Sequence, residues 1–376
     1  MDLLLFVCVV FLAYANGAND NFKGVATLFG SGVSRYRGAL LWGTAATLLG
    51  SLLAVFLARG LLAAFSAKGL VPEAVTTVPD FAIAVAFAAA ATVMLAVRLG
   101  LPISTTHALV GALVGAGWFA SPAGVDLARL WHGFFLPLLV SPLLAILAAV
   151  SLYPMLRYAR RAFGIHRETC VCIGREVVVA FPEGAAVGAE AALAHAATLP
   201  SVHVGARPTC AERYVGRVVG IEWQRVVEVL HYLSAGAVSF ARGVNDTPKM
   251  AAILLLSGAV GAQGGVTLVG VAIAVGALLS ARRVAQTMAH RITRMNPGQG
   301  LVANLVTSSL VLGASALGMP VSTTHISCGA LFGIGTITGR GRWTTIGAIA
   351  LAWAVTLPVS AALGAAAYWL LAASRF

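Results

Sequence analysis

Apolar residues run almost unbroken through most of this chain, and the few polar interruptions carry its organisation. Apolar segments fall at about 3–16, 38–58, 79–97, 101–120 and 130–153, several of them near the ~20 residues that cross a hydrocarbon layer. A polar region at about 155–220 follows, and then segments at about 223–241, 248–279, 299–317, 319–338 and 344–372. The 248–279 stretch is long enough to contain a break. The pattern predicts an all-α polytopic membrane protein of about 10–12 membrane segments, some broken or re-entrant, in two halves of about five spans each. In the polar region, "TCVCIGREVVVAF" and "YVGRVVGIEW" alternate as strands do, and "EGAAVGAEAALAHAA" reads as a short helix, so a small folded lobe is expected. The predicted division is 1–155 for a first transmembrane repeat, 156–221 for the insert and 222–376 for a second repeat.

Composition agrees with a membrane protein. Only 10% of residues are charged and 59% are hydrophobic, whereas soluble domains carry roughly a quarter charged residues. The 41 glycines suit helices that pack closely in lipid. A net charge of +12 does not point to nucleic acid here, because most arginines stand in connecting segments. Arg35 and Arg37, Arg98, the group Arg157, Arg160, Arg161 and Arg167, and then Arg213, Arg217 and Arg225 all fall on one side if the N-terminus is outside; Arg59 and Lys68 oppose them. By the positive-inside rule that side is the cytoplasm, so the insert is expected to be cytoplasmic, with the chain multi-pass in the cell inner (plasma) membrane. The Ala13–Ala15 A-x-A pattern resembles a signal cleavage site, but no positive residue precedes the first apolar run, which is read as an uncleaved span.

The two halves repeat. "PISTTHALVGALVGAG" at 102–117 and "PVSTTHISCGALFGIG" at 320–335 agree at 10 of 16 positions. Chance would give about one. "GANDNFKG" at 17–24 and "GVNDTPKM" at 243–250 share a G-x-N-D-x-x-K spacing. An odd number of spans per half turns the second half upside down, which is the inverted-topology repeat of many secondary transporters.

The repeated positions carry the candidate chemistry. Asn19, Asp20 and Lys23, with Asn245, Asp246 and Lys249, put four charges into apolar surroundings, including two of the chain's three lysines. A charge at the centre of a membrane helix costs at least ~2.5–3.5 kcal/mol unless it is paired or faces a cavity. Gly17 and Gly243 are expected to break the helix there and free backbone groups for a ligand. The alternatives are an Asp–Lys pair that locks the halves together and Asn residues that merely cap helices. Ser104, Thr105 and Thr106, and Ser322, Thr323 and Thr324, each follow a proline and open a Gly-rich helix. Such residues cap helices, but a helix N-terminus inside a membrane also offers free N–H groups and a positive dipole end. Two such termini with their hydroxyls would suit a tetrahedral oxyanion near the midplane. His107 and His325 stand one turn further in, where a hydrogen bond to a neighbour explains a histidine as well as a ligand does.

With G-x-N-D and P-x-S-T-T-H in both halves, the chain resembles the PiT family of inorganic phosphate transporters across both membrane halves, the insert excluded. The resemblance implies an inverted-repeat fold, commonly homodimeric, that moves inorganic phosphate with sodium or protons and in some members sulfate. It implies that Asn19, Asp20, Asn245 and Asp246 lie at the substrate and coupling-ion site, and that the two Ser-Thr-Thr triplets contact the oxyanion. Two departures bear on mechanism. Lys23 stands where members usually have a second Asn, whereas Lys249 matches the lysine of many members. Thr47 and Asn304 stand where the family tends to carry glutamates. Losing two acids and gaining a lysine argues against a full set of sodium sites and raises the weight of sulfate, whereas the retained Asp pair favours a protonated phosphate. The coupling ion is therefore expected to be H+ or Na+, with no organic cofactor and no metal.

A membrane enzyme or receptor on the same scaffold is the competing class, but catalytic sites rarely come in inverted duplicate. No G-x-x-x-x-G-K-[ST] motif supports an ATP-driven pump, and an anion channel stays open beside a carrier. Cys170 and Cys172, with Cys210 and a histidine such as His166 or His203, could form a zinc site, although reduced inert thiols fit a cytoplasmic lobe better. Cys8 and Cys328 read as filler of the membrane core.

Overall fold

The computed structural model describes residues 2–65, 69–121, 124–166, 168–179, 196–255 and 261–374. The chain divides into two compact units, Met1–Tyr153 with His231–Phe376, and Pro154–Leu230. The principal helices are α1 (Asp2–Asp20), α2 (Phe22–Gly30), α3 (Tyr36–Leu57), α4 (Pro79–Leu99), α5 (Thr105–Ala120), α6 (Leu136–Ala162), α7 (Trp223–Leu255), α8 (Ala262–Ser280), α9 (Pro297–Ala316), α10 (Thr323–Thr338) and α11 (Trp343–Ala373). Among the described residues, seven helical stretches are long and apolar enough to cross a membrane. α5 and α10 fall short, because 16 residues rise only about 24 Å against a hydrocarbon core of about 30 Å. Local chemistry sets the ends. α4 starts on Pro79 and stops at Gly100, whose φ of 70° a β-carbon would oppose. α9 starts with a reciprocal capping box between Asn296 and Gln299.

The two N-D motifs do not break their helices as the sequence suggested. Between α1 and α2, Asn21 keeps helical angles, and its N–H donates to the Gly17 carbonyl at 3.2 Å. α7 runs straight through Gly243 and Pro248. The glycines act in packing instead. A β-carbon on Gly17 would stand 1.9 Å from the Ile273 carbonyl oxygen, and one on Gly276 would stand 1.9 Å from that of Tyr14, so α1 and α8 touch backbone to backbone. Gly243 against the Thr47 carbonyl (2.2 Å) and Gly50 against that of Phe240 (2.1 Å) do the same for α7 and α3. Each motif helix thus leans on a helix from the opposite half. Small residues are what allow this contact where no hydrophobic force drives helices together.

The second unit holds an antiparallel sheet of order β2-β1-β3, with β1 at Thr169–Val179, β2 at Ala196–Ala206 and β3 at Tyr214–Glu222. The two strand-like stretches of the sequence fall on β1 and β3, and β2 was not foreseen. Cys170, Cys172 and Tyr214 form its buried cluster, with the Tyr214 hydroxyl donating to the Cys172 carbonyl at 3.2 Å. On the exposed face, Ile173 pairs with Val202 and Val219, and Val171 with Val204 and Ile221. Hydrogen bonds from Ser201 and Arg213 hold the half-buried Glu176 carboxyl below its usual range. Cys170 is a free thiol but Cys172 is disulfide-bonded, so the expectation of reduced thiols fails at that position. Among the described residues no three or more His, Cys, Asp or Glu side chains are grouped so as to hold a metal ion. Most of the predicted "EGAAVGAEAALAHAA" helix, Arg167, Lys68 and the side chains of Cys210 and Arg217 lie outside the described residues.

Candidate functional site

α1 and α7 bring the two N-D motifs against the loops that precede α5 and α10, and the result is one buried polar cluster built twice. In the first half, Asp20 pairs with Lys23 one turn on, and its other oxygen accepts from Asn16 (3.0 Å) and Thr105 (3.3 Å). In the second half, Asp246 accepts from Lys249 (3.4 Å), Asn245 (2.9 Å) and Thr323 (3.3 Å). Each first threonine thus serves the aspartate of its own half.

The lysines and second threonines cross between the halves. Lys23 Nζ donates to the Thr324 hydroxyl and to the Ile103 carbonyl (3.0 Å), and Thr324 donates to the same carbonyl at 2.7 Å. Lys249 Nζ donates to the Thr106 hydroxyl (2.9 Å) and to the Val321 carbonyl (2.7 Å), which Thr106 also reaches at 3.3 Å. Two matching triangles of ammonium, hydroxyl and carbonyl result. All four charged residues are buried, which is tolerable in a membrane only because each is paired.

The serines do something else. Ser104 and Ser322 are N-caps, accepting from the N–H of His107 (3.1 Å) and His325 (3.2 Å). The capping reading therefore holds for the serines and not for the threonines. It leaves the first N–H groups of α5 and α10 without acceptors inside their helices, at the positive dipole ends. Asn19 is spent on the loop before α5. Its amide donates to the Leu101 carbonyl (3.0 Å) and its oxygen accepts from the Ile103 N–H (3.2 Å). Asn245 donates to the Val321 carbonyl in the loop before α10 (3.3 Å) and accepts from Ser315 in the last turn of α9 (3.2 Å). These Asn side chains brace the loops and cap nothing. The His107 and His325 rings lie 4.4 Å apart, with His325 Nδ1 3.3 Å from the Leu138 carbonyl.

Thr47 and Asn304 sit away from both triangles. Thr47 donates to the Ser239 carbonyl at 3.1 Å, and Asn304 accepts from Thr27 (3.1 Å) and donates to Ser234 (3.3 Å). They tie helices together without offering a carboxylate. One member of the cluster escaped the sequence reading. Arg242, directly before the second motif, is 1% exposed, and its charge acts on both Asp20 and Asp246. The signal was its spacing, four residues before Asp246 and seven before Lys249, on one face of a helix.

The site is a duplicated cluster of cations, hydroxyls and helix N-termini among helices long and apolar enough to cross a membrane. Residues 16–364 match the model of the phosphate transporter family, and the chain belongs to that family. Membership sets it among membrane transporters and not among enzymes. It is similar to a probable low-affinity inorganic phosphate transporter of Rhizobium meliloti, at 26% identity over 97% of this chain and 95% of the relative. It is also similar to the chloroplastic inorganic phosphate transporter 2-1 of Arabidopsis thaliana, at 27% identity over 96% of this chain and 70% of the relative. Among solved structures, the sodium-dependent phosphate transporter shares the fold, with a TM-score of 0.74 over 99% of both chains and 21% identity.

Proposed function

We propose that the protein is a secondary transporter that carries inorganic phosphate across the cell membrane by alternating access, with 1–155 and 222–376 as inverted-topology repeats. The duplicated cluster carries this reading: each lysine sits on the aspartate of its own half and on the threonine of the other. A substrate held among these groups draws on both halves at once, and rocking one half against the other would open it to either side. Asp20, Lys23, Thr105, Thr106, Asp246, Lys249, Thr323 and Thr324 are its contacts. Ser104 and Ser322 fix the helix ends that face it, and Asn19 and Asn245 hold the loops. The argument from arginine placement supports a cytoplasmic insert and an external N-terminus, and the family resemblance supports a homodimer.

Proton coupling is the favoured mode. Lys23 supplies a fixed positive charge at Asp20, where a sodium ion would need oxygen ligands, and Thr47 and Asn304 add no carboxylate. The sodium dependence in the structural relative's name belongs to that protein. Phosphate is favoured over sulfate because Asp20 and Asp246 can accept a proton-bearing oxygen, which sulfate lacks at neutral pH. The test is uptake of labelled phosphate and labelled sulfate into proteoliposomes under a proton gradient and then a sodium gradient. Phosphate uptake driven by protons is the expected result. Uptake of sulfate alone, or uptake that runs down its own gradient without either ion, would replace the reading with a sulfate carrier or a channel.

A further inference from the structure

The guanidinium of Arg242 is buried in the same cluster, and among the described residues none of its three nitrogens has a hydrogen-bond partner. A guanidinium carries five N–H donors in a planar fork and does not lose its proton in proteins. Burying it without acceptors is among the most costly arrangements a fold can hold. The lysines of the same cluster do not share this state, since Lys23 and Lys249 have three partners each.

The chain's own acceptors do not answer for it. Asp20 gives its oxygens to Lys23, Asn16 and Thr105, and Asp246 gives its oxygens to Lys249, Asn245 and Thr323. Arg242 feels both carboxylates as charges and bonds to neither. On α7 it precedes Asp246 by four residues and Lys249 by seven, so the three residues share one face of the helix, the backbone rising about 6 Å from Arg242 to Asp246. Among these five residues, the charges are three positive (Lys23, Arg242, Lys249) and two negative (Asp20, Asp246), a net of +1.

We propose that Arg242 is a substrate-contacting residue whose fork receives two oxygens of the transported tetrahedral oxyanion, a monoanion such as dihydrogen phosphate leaving the loaded cluster neutral. The inference rests on the oxyanion reading of the site. A fork that matches two oxygens of one tetrahedral group explains an arginine here better than a third lysine would. A dianion such as sulfate would leave a net charge of −1 in a buried site, so Arg242 also favours the protonated substrate.

The experiment uses the full chain in detergent, with inorganic phosphate as the probe, and compares wild type with Arg242→Lys and Arg242→Met. Binding is read by titration calorimetry, and folding by the melting temperature with and without phosphate. Arg242→Lys should weaken phosphate binding by about tenfold or more, because a point charge replaces a bidentate fork. Arg242→Met should melt at the wild-type temperature or above without phosphate, since it removes an unpaired buried charge, and phosphate should no longer raise its melting point. Wild-type phosphate affinity in both variants overturns the inference, as does a marked fall in the phosphate-free melting temperature of Arg242→Met, which would make the arginine a structural anchor. A wild-type protein that binds neither phosphate nor sulfate instead overturns the oxyanion reading itself.

Discussion

Lys249 Nζ lies 2.9 Å from the Thr106 hydroxyl, 143 positions away along the chain, and Lys23 reaches Thr324 in the same way across 301 positions. Each ammonium therefore holds an aspartate of its own half and a helix start of the other. The arrangement has two possible purposes, to lock the halves together or to present charge to a substrate, and they predict different variants.

Neutralising one partner strands the other. Asp20→Asn or Asp246→Asn should cut uptake sharply while the protein still folds, although loss of one member of a buried pair costs about 3–5 kcal/mol. The double variant Asp20→Asn/Lys23→Gln removes both charges and should recover most of the stability. Melting temperature and proteoliposome uptake are measured together. Stability recovered without uptake supports the substrate role, whereas recovery of both would leave only a lock.

Lys23 is also the test of coupling. With Lys23→Asn, the fixed charge beside Asp20 is gone, and a soluble cation is expected to take its place. Uptake by this variant should become stimulated by sodium where the wild type responds to protons. Proton-driven, sodium-insensitive uptake in both proteins would show that Lys23 does not substitute for a cation.

The close contact of α1 with α8 makes Gly17 a packing position. Gly17→Ala sets a β-carbon 1.9 Å from the Ile273 carbonyl oxygen, so one helix has to move. The expected loss is about 1–3 kcal/mol or more, read as a lower melting temperature in detergent. Gly347→Ala, on α11, meets nothing within 4 Å and should be neutral or slightly stabilising, as alanine replaces glycine in a helix. Equal effects at the two positions would remove the packing argument.

Membrane orientation is open to direct labelling. Leu199 on β2 is exposed in the insert, so Leu199→Cys offers a reporter thiol, and the native Cys8, Cys170 and Cys328 are buried. A membrane-impermeant maleimide should reach it only after spheroplasts are permeabilised. Labelling of intact spheroplasts would put the insert outside and reverse the topology.

Much of this was legible in the chain. Hydropathy gave the membrane class because lipid demands long apolar helices whatever their neighbours. The duplicated N-D and S-T-T-H motifs marked Asp20, Lys23, Thr105, Thr106 and their counterparts, because charges and hydroxyls in apolar runs stand out by composition alone. What the motifs could not say was how the residues divide the work. Ser104 as cap, Thr105 on its own aspartate and Thr106 across to Val321 and Lys249 are three fates for adjacent hydroxyl-bearing residues of nearly one chemistry.

The same limit explains the misreadings. Gly17 and Gly243 looked like helix breaks because glycine has weak helix propensity, but propensity is a local term. The carbonyls of Ile273 and Thr47, more than two hundred and nearly two hundred residues away, decided that glycine was needed for contact instead. Arg242 drew no reading from the sequence because its meaning lies in what fails to meet it, and only the packed structure shows which acceptors are already taken. The sequence determined the membrane class, the duplicated design and the chemical types at the site, all of which follow from local composition and spacing. The tertiary structure decided the pairings across the halves and the unpartnered arginine, because hydrogen bonds and burial depend on residues that the linear order keeps far apart.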